Sequence, residues 1–164
     1  MTNLRSIYNR PYRPCVGLMV FNKEGLVFSG QRLDNPNNSW QLPQGGIDEG
    51  ESPIQAAFRE LEEETSITSV DFLAEYPDWI KYDVPKKLAD NLWEGKYRGQ
   101  TQKWLLFCFI GNDNEINVKT KKPEFRNWSW IDPIELSQKA IYFKKDVYKE
   151  INKIFVPLIK NFIN

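Results

Sequence analysis

The stretch from Gly45 to Ile67 constrains this chain more tightly than any other. Ser52-Pro53-Ile54-Gln55 reads as a helix start: Ser52 is the N-cap, Pro53 fills the first helical position where its missing N–H costs nothing, and Gln55 reaches back as a capping box. From there the spacing predicts a helix to about Thr65. Ile54, Ala57, Phe58 and Leu61 fall at i, i+3, i+4 and i+7, one apolar stripe that must lie on something. The flanking segments offer a sheet.

Val16–Phe21 and Leu26–Phe28 read as strands joined by the turn Asn22-Lys23-Glu24-Gly25, and residues 34–38 (Asp-Asn-Pro-Asn-Asn) as a loop. Asp71–Tyr76 and Trp79–Val84 are strand material, Pro85–Gly99 a long charged loop, and Trp104–Ile110 a buried central strand. Asn112-Asp113-Asn114 turns the chain, and Trp128–Ile131 alternates like a strand. From Lys144, the residues Val147, Ile151, Ile154, Phe155 and Leu158 keep helical spacing, with Pro157 expected to kink or shorten that helix. Strands with helices between and after them predict an α/β sandwich, a mixed sheet held between helices. With 164 residues, 41% of them hydrophobic, residues 1–164 are expected to form a single domain.

Composition then narrows the chemistry. The chain contains no histidine, which removes Ser-His-Asp triads, histidine metal sites and imidazole acid-base catalysis together. Cys15 and Cys108 each sit beside apolar residues, as buried thiols do. Catalysis is left to carboxylates and their partners. Residues 48–64 hold seven acids against the single base Arg59, so the rest of the chain carries a net +6. An acidic knot in a basic body suits a divalent cation and a polyphosphate bound together. The sequence shows neither a membrane span nor a secretory signal, and the expectation is a soluble cytoplasmic protein with no membrane or DNA partner.

Glu60, Glu63 and Glu64 fall at i, i+3 and i+4 of the predicted helix. Like charges so placed repel, and a hard cation such as Mg²⁺ or Mn²⁺ would relieve them. Taken alone, such a run is usually a solvated helix face. The full spacing, however, resembles the Nudix box: Gly, five residues, Glu, seven residues, then Arg-Glu-apolar-any-Glu-Glu-any-Gly-apolar. Gly45, Glu51, Arg59, Glu60, Leu61, Glu63, Glu64 and Ile67 supply eight of its nine fixed positions. The departure is Ser66 in place of Gly at the helix end, where a left-handed residue is usual and Ser should cost about 1 kcal/mol.

The resemblance extends through Tyr12–Gly17, Trp40–Gly46, Gly99–Trp104, Pro123-Glu124-Phe125 and Phe143–Tyr148 to the Nudix branch of bacterial RNA 5′ pyrophosphohydrolases and dinucleoside polyphosphate hydrolases. It implies a metal set of Glu60, Glu63, Glu64 and Glu124, with Gly45 and Glu51 supporting and Arg59 orienting a box carboxylate. It implies too that Glu64 or Glu124 takes the proton from the attacking water, with divalent metal neutralising the phosphoryl charge. Arg13, Arg32, Lys81 and Lys103 are candidates for the outer phosphates, and Phe143 for stacking on a base with Lys144 nearby. The implied activity is removal of pyrophosphate from a 5′-triphosphate RNA end, leaving the 5′-monophosphate that favours RNA decay. Hydrolysis of a dinucleoside polyphosphate is the alternative, and a catalytically silent nucleotide- or RNA-binding module is the alternative of another class.

Overall fold

The structure, a computed structural model, describes residues 6–34 and 39–164. Its strands are β1 (Tyr12–Phe21), β2 (Val27–Arg32), β3 (Trp40–Gln41), β4 (Gln44–Gly46), β5 (Val70–Glu75), β6 (Ile80–Asp83), β7 (Gly99–Phe109) and β8 (Phe125–Ile131). Its helices are α1 (Pro53–Thr65), α2 (Lys86–Asn91), α3 (Pro133–Lys139) and α4 (Lys145–Ile163). One mixed sheet carries all eight strands. At its centre β1 and β7 run parallel from Tyr12↔Gly99 to Phe21↔Cys108, while β4 joins β1 antiparallel through Val16↔Gly45. Strands β5 and β6 pair antiparallel with β7, and β3 and β8 with β2.

Strand alternation divides two cores. Val16, Leu18, Val20, Leu105 and Phe107 point to one face, where they meet Ala56, Ala57 and Leu61 of α1. Met19, Phe21, Trp104 and Leu106 point to the other, where Tyr148, Ile151, Phe155 and Ile159 of α4 cover them. The expected mixed sheet between helices is therefore what forms. The near-continuous apolar run of β7 follows from its burial on both faces.

Helix α1 starts as its residues dictate: the Ser52 side chain accepts from the Gln55 N–H, and the Gln55 side chain accepts from the Ser52 N–H. Its buried stripe is rotated from the expected one. Ala56, Ala57 and Leu61 are buried, while Phe58 is displaced to the rim, where its ring meets Phe107 edge-on. Two small alanines let the helix lie close to the sheet; a phenylalanine there would hold it away.

Two expectations are corrected, and one helix was not expected. Pro85–Gly99 is not a loop throughout, because α2 occupies Lys86–Asn91 and buries Ala89. Helix α3, unforeseen, is opened by Asp132, whose carboxylate accepts from the Ile134 N–H. Pro157 does not end α4, which continues to Ile163. Pro157 and Lys153 both face solvent, so water can satisfy the Lys153 carbonyl that proline leaves without its helical donor. The loop expected over 34–38 lies outside the described residues except for Asp34.

Candidate active site

The end of the sheet where β4 meets α1 opens into a cavity of about 530 Å³. Glycine sets the approach of the helix to the strand. A side chain at Gly45 would overlap the Glu60 carboxylate, so its absence lets Glu60 pass over β4 into the cavity. At Gly46 the same vacancy is filled by the Arg13 guanidinium.

Arg59 holds the rim together. Its Nε and Nη2 donate to the two oxygens of Glu51 at 2.8 and 2.9 Å, and its Nη1 to Glu60 at 2.8 Å and Glu63 at 3.2 Å. Nη2 also donates to the Gly46 carbonyl at 2.9 Å. The Arg59 guanidinium, with the Asp48 N–H, holds the Glu51 carboxyl down at about 2. One guanidinium thus ties the glycine loop to the helix, with bidentate geometry that lysine cannot supply.

Glu60, Glu64 and Glu124 line the cavity. Glu64 is buried, and its Oε2 has no hydrogen-bond partner among the described residues. Desolvation first, then the charges of Glu60 and Glu124, raise its pKa well above the usual carboxylate range; Glu60 is raised mainly by burial. Glu124, half exposed, sits 3.8 Å from Arg32. Glu63 does not line the cavity; it is 58% exposed and turned to Arg59. The expected cluster of three helix carboxylates is therefore opened, because Arg59 draws Glu63 outward. Among the described residues no three acidic or thiol groups close a metal cage by themselves.

The donor set still fits a hard divalent cation. Glu64 is buried beside the like charges of Glu60 and Glu124 with one oxygen unpartnered, and ions of the Mg²⁺ type take one or two carboxylates and complete their shell with water and substrate phosphates. Glu60, Glu64 and Glu124 are the residues that would hold it.

Across the cavity stand the cations. Arg13 lies 5.6 Å over the ring of Trp93, Arg32 donates to Asp34 and Gln41, and Lys144 donates to Gln41 at 2.9 Å. Burial, then the Arg32 charge, lowers the Lys144 ammonium to about 7. Lys81 and Lys103, expected beside them, lie elsewhere. Register decides this: Gln100, Gln102 and Trp104 of β7 face the cavity side, so Lys103 and Lys81, which pairs with Thr101, project from the opposite face. There Lys81 lies over the Tyr12 ring, and Lys103 donates to the Pro77 carbonyl at 3.0 Å and pairs with Glu75 at 3.7 Å. Phe143 lines the cavity and stacks on Tyr82 with ring centroids 6.1 Å apart, so it has both a core partner and a cavity face.

Residues the sequence had not singled out complete the floor. Gln100 accepts from Tyr82 at 2.7 Å, Gln102 at 3.0 Å and Gln44 at 3.2 Å, and the Trp104 indole N–H fixes Gln102 at 3.1 Å. This network locks the amides before any ligand arrives. The signal was there: alternate glutamines leading into a buried apolar strand must face something polar. Trp93 was hidden because the left-handed backbone of Trp93, Glu94 and Gly95 that presents it has no clear local code.

Known proteins share sequence and fold with this chain. RNA pyrophosphohydrolase of Cereibacter sphaeroides is 51% identical over 149 residues, covering 90% of this chain and 92% of that protein. Among solved structures, the E. coli dihydroneopterin triphosphate pyrophosphohydrolase superposes with a TM-score of 0.69 at 20% identity, over 88% of this chain and 97% of that one. A C. elegans Ap4A hydrolase binary complex superposes with a TM-score of 0.61 at 20% identity, over 87% and 98%. No helix among the described residues is long and apolar enough to cross a membrane. The NUDIX domain model matches residues 11–151, nearly the whole of the sheet, the box helix and the cavity, and the chain belongs to the Nudix hydrolase family.

Proposed function

We propose that this chain is an RNA 5′ pyrophosphohydrolase that removes pyrophosphate from a 5′-triphosphate end and leaves a 5′-monophosphate. The observation that carries the reading is the union, in one cavity, of three carboxylates, one of them buried with an unpartnered oxygen, three cations and aromatic surfaces. A polyphosphate attached to a nucleobase needs all three. The RNA pyrophosphohydrolase name of a relative 51% identical over most of both chains supports the same substrate class.

A divalent cation, Mg²⁺ or Mn²⁺, would supply charge neutralisation at the attacked phosphoryl group. Glu60, Glu64 and Glu124 would hold it, and Glu51 and Arg59 fix the loop and helix that carry the first two. Glu64 and Glu124 differ in environment. Glu64 is desolvated between like charges and calls for a cation, whereas Glu124 is half exposed and only loosely paired with Arg32, free to take a proton from water and return it to solvent. Glu124 is therefore the preferred base. Arg13, Arg32 and Lys144 bind the outer phosphates, and Phe143 offers a face to a base. Residues from Arg13 to Lys144 serve one catalytic unit, a single domain.

A second reading, hydrolysis of a dinucleoside polyphosphate, is favoured by one observation: aromatic rings stand at separate parts of the wall, Trp93 beside Arg13 and Phe143 beside Lys144. Parallel kinetics on 5′-triphosphorylated RNA and on a dinucleoside tetraphosphate, with products identified, test both. Preference for RNA with release of pyrophosphate is expected. Turnover of the dinucleotide alone would overturn the RNA reading, and no metal-dependent turnover of either would leave a binding module.

A further inference from the structure

A second depression opens beside the cavity and shares Ser39, Trp40 and Ile141 with it. Its other lining residues are Gln138, Lys139, Ala140, Tyr142 and Lys145, and no acid is among them. Lys139 and Lys145 form no ion pair with any described residue. Tyr142 is 69% exposed, which leaves its ring available to a partner.

The rings connect the two spaces. Tyr82 stacks on Phe143 within the cavity wall, and Phe143 meets Tyr142 edge-on at 5.3 Å, so an aromatic series runs from the cavity out to the groove. The backbone produces it: in the short 3-10 turn Tyr142–Lys144, Phe143 and Lys144 line the cavity while Tyr142 lines the groove. Trp40, half-buried, forms the boundary between them.

We propose that this groove is a binding track for single-stranded RNA, taking the nucleotides downstream of those held in the cavity. The proposal rests on the RNA reading above. A polyanion is the occupant to which two unpaired lysines are complementary, and a base is the partner to which an exposed tyrosine face is suited whatever the sequence. Continuity with the cavity fixes direction: the triphosphate end lies among Arg13, Arg32 and Lys144, and the chain leaves past Phe143 to Tyr142. A dinucleoside polyphosphate, which has no downstream chain, has nothing to put there.

The test is a length series of 5′-triphosphorylated oligoribonucleotides, from dinucleotide to octanucleotide, cut by the wild type, by Tyr142→Ala, by Tyr142→Phe and by the double variant Lys139→Gln/Lys145→Gln. The wild type should gain kcat/KM with length to a plateau. Tyr142→Ala should lose about tenfold on the octanucleotide, the equivalent of one stacked base, and stay within twofold on the dinucleotide. Tyr142→Phe should restore the gain. The double variant should lower the salt dependence on the octanucleotide by about 1.4 in log-log slope, as expected for two lost phosphate contacts to a single strand. An unchanged length dependence in Tyr142→Ala and the double variant overturns the track, as does an equal loss at every length, which would mean damage to the cavity. If the wild type cuts no RNA of any length yet cuts a dinucleoside polyphosphate, it is the substrate reading that has failed.

Discussion

Replacing Glu64 by glutamine should make the metal-free protein more stable while destroying its activity. In the fold one Glu64 oxygen receives the Gln44 N–H and the other has no partner, with Glu60 and Glu124 as like charges nearby. An amide keeps the acceptor for Gln44 and turns an N–H₂ toward those carboxylates. A buried unsatisfied polar group costs about 1 to 3 kcal/mol, and in a chain of this size each kcal/mol moves Tm by about 2 to 4 °C, so Glu64→Gln in chelator should melt about 2 to 12 °C above wild type. Turnover should fall on the order of a hundredfold or more, and the rise in Tm that Mg²⁺ gives the wild type should shrink or vanish. The pH dependence has a defined sign. Glu64 is raised in the fold, so the folded chain holds a proton that the unfolded chain sheds above the ordinary value of 4.5. The penalty is absent below that value and grows as pH climbs toward the raised one, so the gap between variant and wild type should narrow on acidification from about pH 8 to about pH 5. Thermal melts across that range are the assay. A variant that melts below wild type in chelator, or a gap indifferent to pH, would refute the view of Glu64 as a charge awaiting a cation.

Gly45→Ala should push Glu60 out of the cavity, since the new methyl overlaps its carboxylate; a loss of about 1 to 3 kcal/mol by denaturant melt and a raised Mg²⁺ requirement are expected, and normal metal dependence would show that the helix can retreat. Ser66 ends α1 with φ 65°, as expected, but its hydroxyl donates to the Asn117 carbonyl at 2.9 Å. Ser66→Gly should then be nearly neutral, relief of about 1 kcal/mol being offset by the lost bond, while Ser66→Ala should lose about 1 kcal/mol; a clear rise in Tm for the glycine variant would mean that the bond contributes nothing. Lys81→Ala, on the far face of the sheet, should keep kcat/KM within twofold on either substrate, and a tenfold loss would return Lys81 to the phosphate contacts.

What the sequence disclosed was whatever is encoded locally. The capping box of α1, the left-handed Ser66 and the buried thiols Cys15 and Cys108 each depend on a few neighbouring residues, and each could be read in advance. What escaped depends on registers between distant segments. Lys103 sits beside Trp104 in sequence, yet one step along a strand reverses its face, and only the pairing of β7 with β1 and β6 decides which side holds the cavity. The resemblance implies that Arg59 orients a box carboxylate, but its bidentate bond to Glu51 depends on how the glycine loop folds back. Pro157 was overestimated because a proline on the solvent face of a helix anchored by Ile151, Phe155 and Ile159 leaves its orphan carbonyl to water.

The parallel pairing of β1 with β7 has a consequence for synthesis on the ribosome. The strand that carries Arg13 emerges early, but its partner over Gly99–Phe109 follows only after the box helix and α2, and Phe143 and Lys144 later still. Until then the nascent chain displays the box carboxylates and Arg13 without Phe143 and Lys144 to complete the wall. The growing polypeptide is thus a mute intermediate, and the cavity wall is complete only as the last helix closes over the sheet. Parallel contacts between remote segments assemble slowly, which lengthens that silent interval.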